Sequence, residues 1–212
     1  ILSSAALRAL REKFKANYKI SFLVGEESKE VLLRCPYIDE LLVADREHKD
    51  RGIKGLVSLG SALRNKRFDA VIDLQNNRYS HLLSWLTFSP KRYGYDNKKL
   101  GFLLNFRLKD EKPPLDPVTH QFRVLQLLGV ELREPRLELW PSEEDMSYIN
   151  DLLASHWLSV NQKLIGLNLH ASPRWRTKVW PLEYAAKLCE DFARHDVRVV
   201  ITGTREDAPY AE

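Results

Sequence analysis

Lys163-Leu164-Ile165-Gly166-Leu167-Asn168-Leu169-His170-Ala171-Ser172-Pro173-Arg174-Trp175-Arg176-Thr177-Lys178-Val179-Trp180-Pro181, with its continuation to Thr202, decides how the rest of this 212-residue chain is read. Leu164 to Leu169 is an apolar run, too short to cross a membrane and bounded by small and polar residues, which predicts a buried parallel strand. A turn-forming stretch, His170 to Lys178, follows, and Pro181 suits the first turn of a helix. Tyr184, Ala185, Leu188, Phe192 and Ala193 recur at helical spacing and predict one buried stripe. Val197, Val199, Val200 and Ile201 form a second strand, closed by Gly203. The unit is strand, loop, helix, strand. Its first loop carries three cations and a hydroxyl just ahead of a helix N-terminus.

Free N–H groups and the positive end of a helix attract anions, and open parallel sheets hold ligands at the carboxyl ends of their strands. A phosphate is the natural occupant. Ser172 can donate a hydrogen bond to it, and Lys178 can neutralise a departing diphosphate. Arg174, Arg176 and Lys178 fit a solvated surface loop equally well, and Ser172 and Pro173 are ordinary turn residues. The loop is not a Walker A sequence and lacks Gly-x-Gly-x-x-Gly, so its spacing supports an anion site and no more.

Composition sets the limits. A hydrophobic content of 44% supports real cores, and no apolar run reaches the ~18 residues of a spanning helix. Cys35 and Cys189 stand far apart, which argues against a disulfide framework and for a reducing cytoplasm. A net charge of +4 with pI near 9.0 favours anionic partners without naming one. Basic and acidic residues are intermixed, 33 against 29, with no basic stripe interleaved with aromatics, so a nucleic-acid partner is not expected. The chain opens on Ile1 rather than Met, without a visible signal peptide, and reads as one that has lost its beginning.

Strands and helices alternate along the chain. Ser3 to Lys15 is an amphipathic helix with Leu7, Leu10 and Phe14 on one side and basic residues on the other. Lys19 to Val24 is a strand, a short helix runs to about Arg34, and Ile38 to Val43 is another strand. Leu56, Leu59 and Leu63 mark a helix ending at Lys66. Phe68 to Leu74 is a strong strand, followed by the polar turn Gln75-Asn76-Asn77 and a helix with His81, Leu82, Leu83 and Trp85. Pro90-Lys91-Arg92 reads as a basic turn before a short Tyr93-Gly94-Tyr95 segment, and Asn97 to Pro117 as an exposed loop. Val118 to Leu128 is a helix stopped at Gly129. Pro135 to Pro141 is extended, and Ser142-Glu143-Glu144-Asp145 caps a helix running to about Trp157. This alternation predicts parallel sheets wrapped by helices, with a domain boundary near Trp140.

In this order the chain resembles the family-nine glycosyltransferases, best known from the ADP-heptose:lipopolysaccharide heptosyltransferases. The resemblance rests on Ile1 to Leu10, Cys35-Pro36-Tyr37-Ile38-Asp39-Glu40 and Phe68 to Gln75. Further on it rests on His120 with Arg123 before Leu127-Leu128-Gly129-Val130, on Ala171-Ser172 before Lys178-Val179-Trp180-Pro181, and on Val199-Val200-Ile201-Thr202-Gly203. It implies an α/β fold of the GT-B type, two Rossmann-like domains with parallel sheets facing a cleft. Residues 1–140 would be the acceptor-binding domain, and 141–212 the first part of the nucleotide-sugar-binding domain.

The function implied is an inverting transfer of a heptose or related sugar from an ADP-sugar donor to the lipopolysaccharide inner core, by direct displacement at the anomeric carbon. Ser172 and Lys178 would contact the donor phosphates, Lys178 also stabilising the leaving diphosphate, and Glu206 would hold the ribose; Glu206 also fits a helix N-terminal acid. Arg78, His120 and Arg123, with Lys91 and Arg92, would meet the carboxylates and phosphates of the acceptor, and each also fits a solvated surface. Arg78 departs from the family pattern, because Tyr79 separates it from Ser80. Neither metal nor cofactor is implied. The carboxylate base would be an Asp of a Gly-Asp pair before Ile1, and an Asp-Ser/Thr-Gly-x-x-His segment would follow Glu212. Residues 1–212 alone are therefore expected to be inactive, which a transfer assay checks. A lipid-linked acceptor and a positive charge imply a cytoplasmic protein touching the inner-membrane surface. Two other readings stay open, a non-catalytic nucleotide-sugar-binding protein of the same fold and a sugar-nucleotide epimerase.

Overall fold

The computed structural model describes residues 1–110, 115–156, 158, 163–169, 171, 177–195 and 197–210. It divides into two compact units, Ile1–Pro141 and Ser142–Glu212.

The first unit is built on strands covered on both faces. Parallel strands β1 (Ser21–Gly25) and β2 (Glu40–Ala44) pair in register from Ser21 opposite Glu40 to Gly25 opposite Ala44. A second parallel group has the order β3 (Ala70–Ile72), β4 (Lys91–Asp96), β5 (Phe106–Lys109). Side chains alternate across a strand, and here both sides find apolar partners. Phe22 and Val24 pack with Leu7 of α1 (Ser4–Phe14), whereas Leu23 packs with Leu59 and Leu63 of α2 (Gly52–Arg64) and Leu83 of α3 (Arg78–Leu86). That explains the uninterrupted apolar runs. Ile20 and Ile72 share one core with Ala5, Ala6 and Leu10 of α1 and with Phe122 and Leu125 of α4 (Pro117–Gln126), so both strand groups serve the same layer. α1 and α4 thus cover one face, α2 and α3 the other. Gly60 sets how closely α2 and α3 approach, since a Cβ there would lie 2.6 Å from Leu86 Cβ. Gly129, at φ +70°, ends the turn after α4.

Four sequence expectations are corrected in this unit. Arg8 lies not on a polar outer face but buried at 8% exposure, because a distant strap supplies its partners. Its guanidinium is paired with the Glu138 carboxylate and donates to the carbonyls of Glu134 at 2.8 Å and Arg136 at 3.2 Å. The short helix expected before Arg34 is two 3-10 turns, Glu26–Ser28 and Glu30–Leu32. Lys91-Arg92 is not a turn but the start of β4. Val71 pairs with Arg92, Asn105 Oδ1 accepts from Arg92 N at 2.7 Å, and the guanidinium donates to the carbonyls of Ser89 and Leu103. The expected loop from Asn97 contains a 3-10 turn at Gly101–Leu103 and the edge strand β5, with Leu104 buried between them.

The second unit opens with α5 (Glu143–Ser155). Its Ser142 cap accepts from Asp145 N at 2.9 Å, and Asp145 Oδ2 accepts in turn from Ser142 N at 2.7 Å. β6 (Leu164–Asn168) and β7 (Arg198–Thr202) are parallel, and α6 (Leu182–Ala193) connects them and lies against β7. β6 is not the buried strand expected. Its residues alternate between exposed and half-buried. The α6 stripe is also narrower than its periodicity suggests: Ala185 is buried, Leu188 and Phe192 are half-buried, and Tyr184 and Ala193 are exposed.

Candidate functional site

In the second unit, Lys178 is the one expected anion-binding residue of the turn ahead of α6 that lies among the described residues. Thr177 and Lys178 form a short helical turn, and Lys178 is exposed three residues before Pro181, the N-cap of α6. Pro181 leaves the first N–H groups of α6 without a side-chain cap. The N-terminus of a helix favours an anion, and Lys178 stands one turn ahead of this one. Ser172, Arg174 and Arg176 lie outside the described residues, as does the side chain of Glu206. The backbone of Glu206 lies in a 3-10 segment, Arg205–Tyr210, directly after β7. The acid that caps this turn is Asp207, which accepts from Thr204 N at 2.7 Å and from Thr204 Oγ1 at 2.8 Å. Sequence reading passed over Asp207, although the Thr204-x-x-Asp207 spacing of a capping box was there to be read.

One edge of the first unit is formed by the carboxyl ends of β2, β3 and β4. β3 passes into a fixed turn. Asp73 N donates to Tyr93 O, and Asp73 Oδ1 accepts from Gln75 N at 3.0 Å and Asn76 N at 2.9 Å. Asn77 then caps α3 through a reciprocal pair with Ser80. Arg78, the first residue of α3, stands exposed at this edge. Tyr79, half-buried beside it, carries the Arg46 guanidinium 4.3 Å above its ring. Burial pushes the Tyr79 phenol up from its ordinary value.

His120 lies in the first turns of α4, stacked on the Tyr95 ring with centroids 4.0 Å apart. Its Nε2 is 3.1 Å from Asp110 Oδ1. Arg123 lies one turn further along the same helix and is half-buried. The structure thus brings His120 and Arg123 together on α4 and places Arg78 on α3, across the strand layer. One arrangement was missed altogether. Asp73 and His81 are buried side by side at 1% and 0% side-chain exposure, with His81 Nε2 3.4 Å from Asp73 Oδ2 and Nδ1 2.8 Å from Lys99 O. The sequence signal was a histidine on the apolar stripe of α3.

Among the described residues no cluster of three or more His, Cys, Asp or Glu could hold a metal ion, and no helix is long and apolar enough to cross a membrane.

Parallel strands under helices, split into two compact units, make this an α/β chain of the GT-B glycosyltransferase class. A profile of glycosyltransferase family 9 (heptosyltransferase) matches residues 56–212, and the chain belongs to that family. It is 26% identical over 197 residues to the lipopolysaccharide core heptosyltransferase OpsX of Haemophilus influenzae, covering 89% of this chain and 52% of that protein. The chain thus spans about half the length of this curated relative. A family 9 glycosyl transferase from Veillonella parvula has a similar structure, with a TM-score of 0.81 and 25% identity over 98% of this chain and 60% of that one. The E. coli ADP-heptose lps heptosyltransferase II superposes with a TM-score of 0.71 at 24% identity, over 99% of this chain and 62% of that one, and so shares its fold.

Proposed function

We propose that this chain is part of an inverting glycosyltransferase that moves a heptose from an ADP-sugar to the inner core of lipopolysaccharide. The observation that carries the reading is the exposed Lys178 in the turn ahead of the uncapped end of α6, within the stretch matched to a heptosyltransferase family. In this reading the donor diphosphate lies against that helix end. Lys178 offsets the charge that grows on the diphosphate as the glycosidic bond breaks, so its attraction is stronger in the transition state than in the ground state. Ser172 donates to the same phosphates, and Glu206 accepts from the ribose hydroxyls. Arg78, His120 and Arg123 meet the anionic acceptor from the first unit. The resting link between His120 and Asp110 keeps the imidazole oriented beside Arg123. Positive charge supplied by the protein takes the part a metal would otherwise play, and no cofactor is required. The protein works at the cytoplasmic face of the inner membrane.

Calorimetric titration of ADP, UDP and GDP into the full-length protein and its Lys178→Ala variant tests this reading. Selective ADP binding, weakened at least about tenfold in the variant, is the expected result for loss of one charge-assisted phosphate contact. Preference for another nucleotide changes the donor. Binding indifferent to Lys178 removes the donor-site assignment.

A further inference from the structure

Six non-glycine residues among those described have left-handed backbone, and three of them, Asn76, Lys98 and Leu100, lie at the carboxyl edge of β3 and β4. A leucine at φ +71° gains nothing locally from that conformation, so its surroundings must hold it there. They do. Asn97 Nδ2 donates to Asn76 O at 2.7 Å, tying the loop after β4 to the turn after β3. Asn97 Oδ1 accepts from Lys99 N at 3.0 Å. Lys99 O, which can only accept, receives the Nδ1 hydrogen of His81 at 2.8 Å. Behind His81 lies the equally buried Asp73, whose other oxygen fixes the Gln75-Asn76 turn. A buried carboxylate and imidazole, two cross-loop hydrogen bonds and left-handed backbone thus converge on a short loop whose outer surface is Lys98 and Lys99, both exposed. The loop sits at the strand end where open parallel sheets bind ligands. Arg78, at the start of α3, adds a cation to the same edge.

We propose that Lys98 and Lys99 form a subsite for a phosphate group of the acceptor oligosaccharide, and that His81 is the positioning residue that sets it. The proposal rests on the acceptor-binding role given to the first unit above. Two adjacent ammonium groups suit a phosphate monoester, which carries close to two negative charges at neutral pH and binds lysine as a point charge. His81 touches no substrate. It acts through the carbonyl of Lys99.

The test is binding of a phosphorylated inner-core oligosaccharide, freed of its acyl chains, to the full-length protein, with the dephosphorylated oligosaccharide as control. Lys98→Ala/Lys99→Ala lowers affinity for the phosphorylated probe at least about tenfold and leaves the control unchanged. His81→Asn and His81→Gln separate positioning from folding. The Asn amide takes the place of Nδ1 and keeps the bond to Lys99 O, so this variant binds the probe as the wild type does. The Gln amide takes the place of Nε2, keeps its approach to Asp73 and loses Lys99, so its affinity falls with that of the lysine variant. ADP binding is unchanged in all three. Equal affinity for the two probes, an unaffected lysine variant, or losses in the two His81 variants that follow their melting temperatures would each overturn the proposal. A wild type that binds neither oligosaccharide overturns both it and the acceptor role, while the Lys178 titration judges the donor site independently.

Discussion

Replacing Arg8 by alanine is the most searching test of how the first unit is held together. The guanidinium is buried, paired with Glu138, and donates to two carbonyls of the strap between Glu134 and Glu138. Alanine takes the shared donor from all three acceptors at once. Removing one partner of a buried ion pair costs about 3–5 kcal/mol. Glu138 keeps the Tyr37 hydroxyl at 2.8 Å and retains 16% side-chain exposure, which puts this site at the low end, about 3 kcal/mol. In a unit of this size that lowers the melting temperature by roughly 10 °C. Urea unfolding followed by tryptophan fluorescence suits the measurement, because Trp140 lies edge-on to Tyr37 beside the lost pair, with ring centroids 5.8 Å apart. Arg8→Met combined with Glu138→Leu is expected to recover most of the loss, since apolar side chains of similar size can replace a buried pair. A loss below about 1 kcal/mol for Arg8→Ala would mean that the pair is solvated and the strap is held by packing alone.

Three further outcomes follow from particular contacts. Glu40 accepts from Lys66, from Lys19 at 3.1 Å and from Ser21 at 2.9 Å, and these bonds hold its carboxyl down to about 2. Its contribution is complete above its ordinary value near 4.5 and is lost as pH falls from there towards 2, so Glu40→Gln flattens acid unfolding in that window and nowhere else. Leu125→Ala opens a cavity at a fully buried position and is expected to cost about 3–4 kcal/mol by urea unfolding, against a few tenths for Leu127→Ala on the exposed side. Asn77→Ala removes the α3 capping box and costs about 1 kcal/mol, which Asn77→Asp restores.

The regular elements were legible where burial follows local period. Lys19 to Val24 was legible as a strand, and Ser142-Glu143-Glu144-Asp145 as a cap, because each signal lies within a few residues. What failed depends on partners far along the chain. Arg8 is satisfied by a strap 126–130 residues away, so its helix alone placed it in solvent. Lys91 and Arg92 looked like a turn because β3, Ser89, Leu103 and Asn105 supply their bonds. β5 is short and half-polar, since only one of its edges is paired. At the candidate site, the Lys178 turn could be found from its place before Trp180-Pro181. The Asp73–His81 pair could not, since a lone histidine on an apolar stripe does not reveal that a loop carbonyl 18 residues later will meet it.

The two cysteines have a practical consequence. Each unit holds one, and both are free. Cys35 is buried with Leu7 and Leu32, and burial raises its thiol above the ordinary range, which slows its reaction further. Cys189 is half-buried on α6. A thiol reagent therefore reaches the partly exposed Cys189 in the folded chain and labels Cys35 only as the first unit opens. Mass analysis of the two peptides separates them, so Cys35 times the opening of the first unit while Cys189 serves as its internal reference.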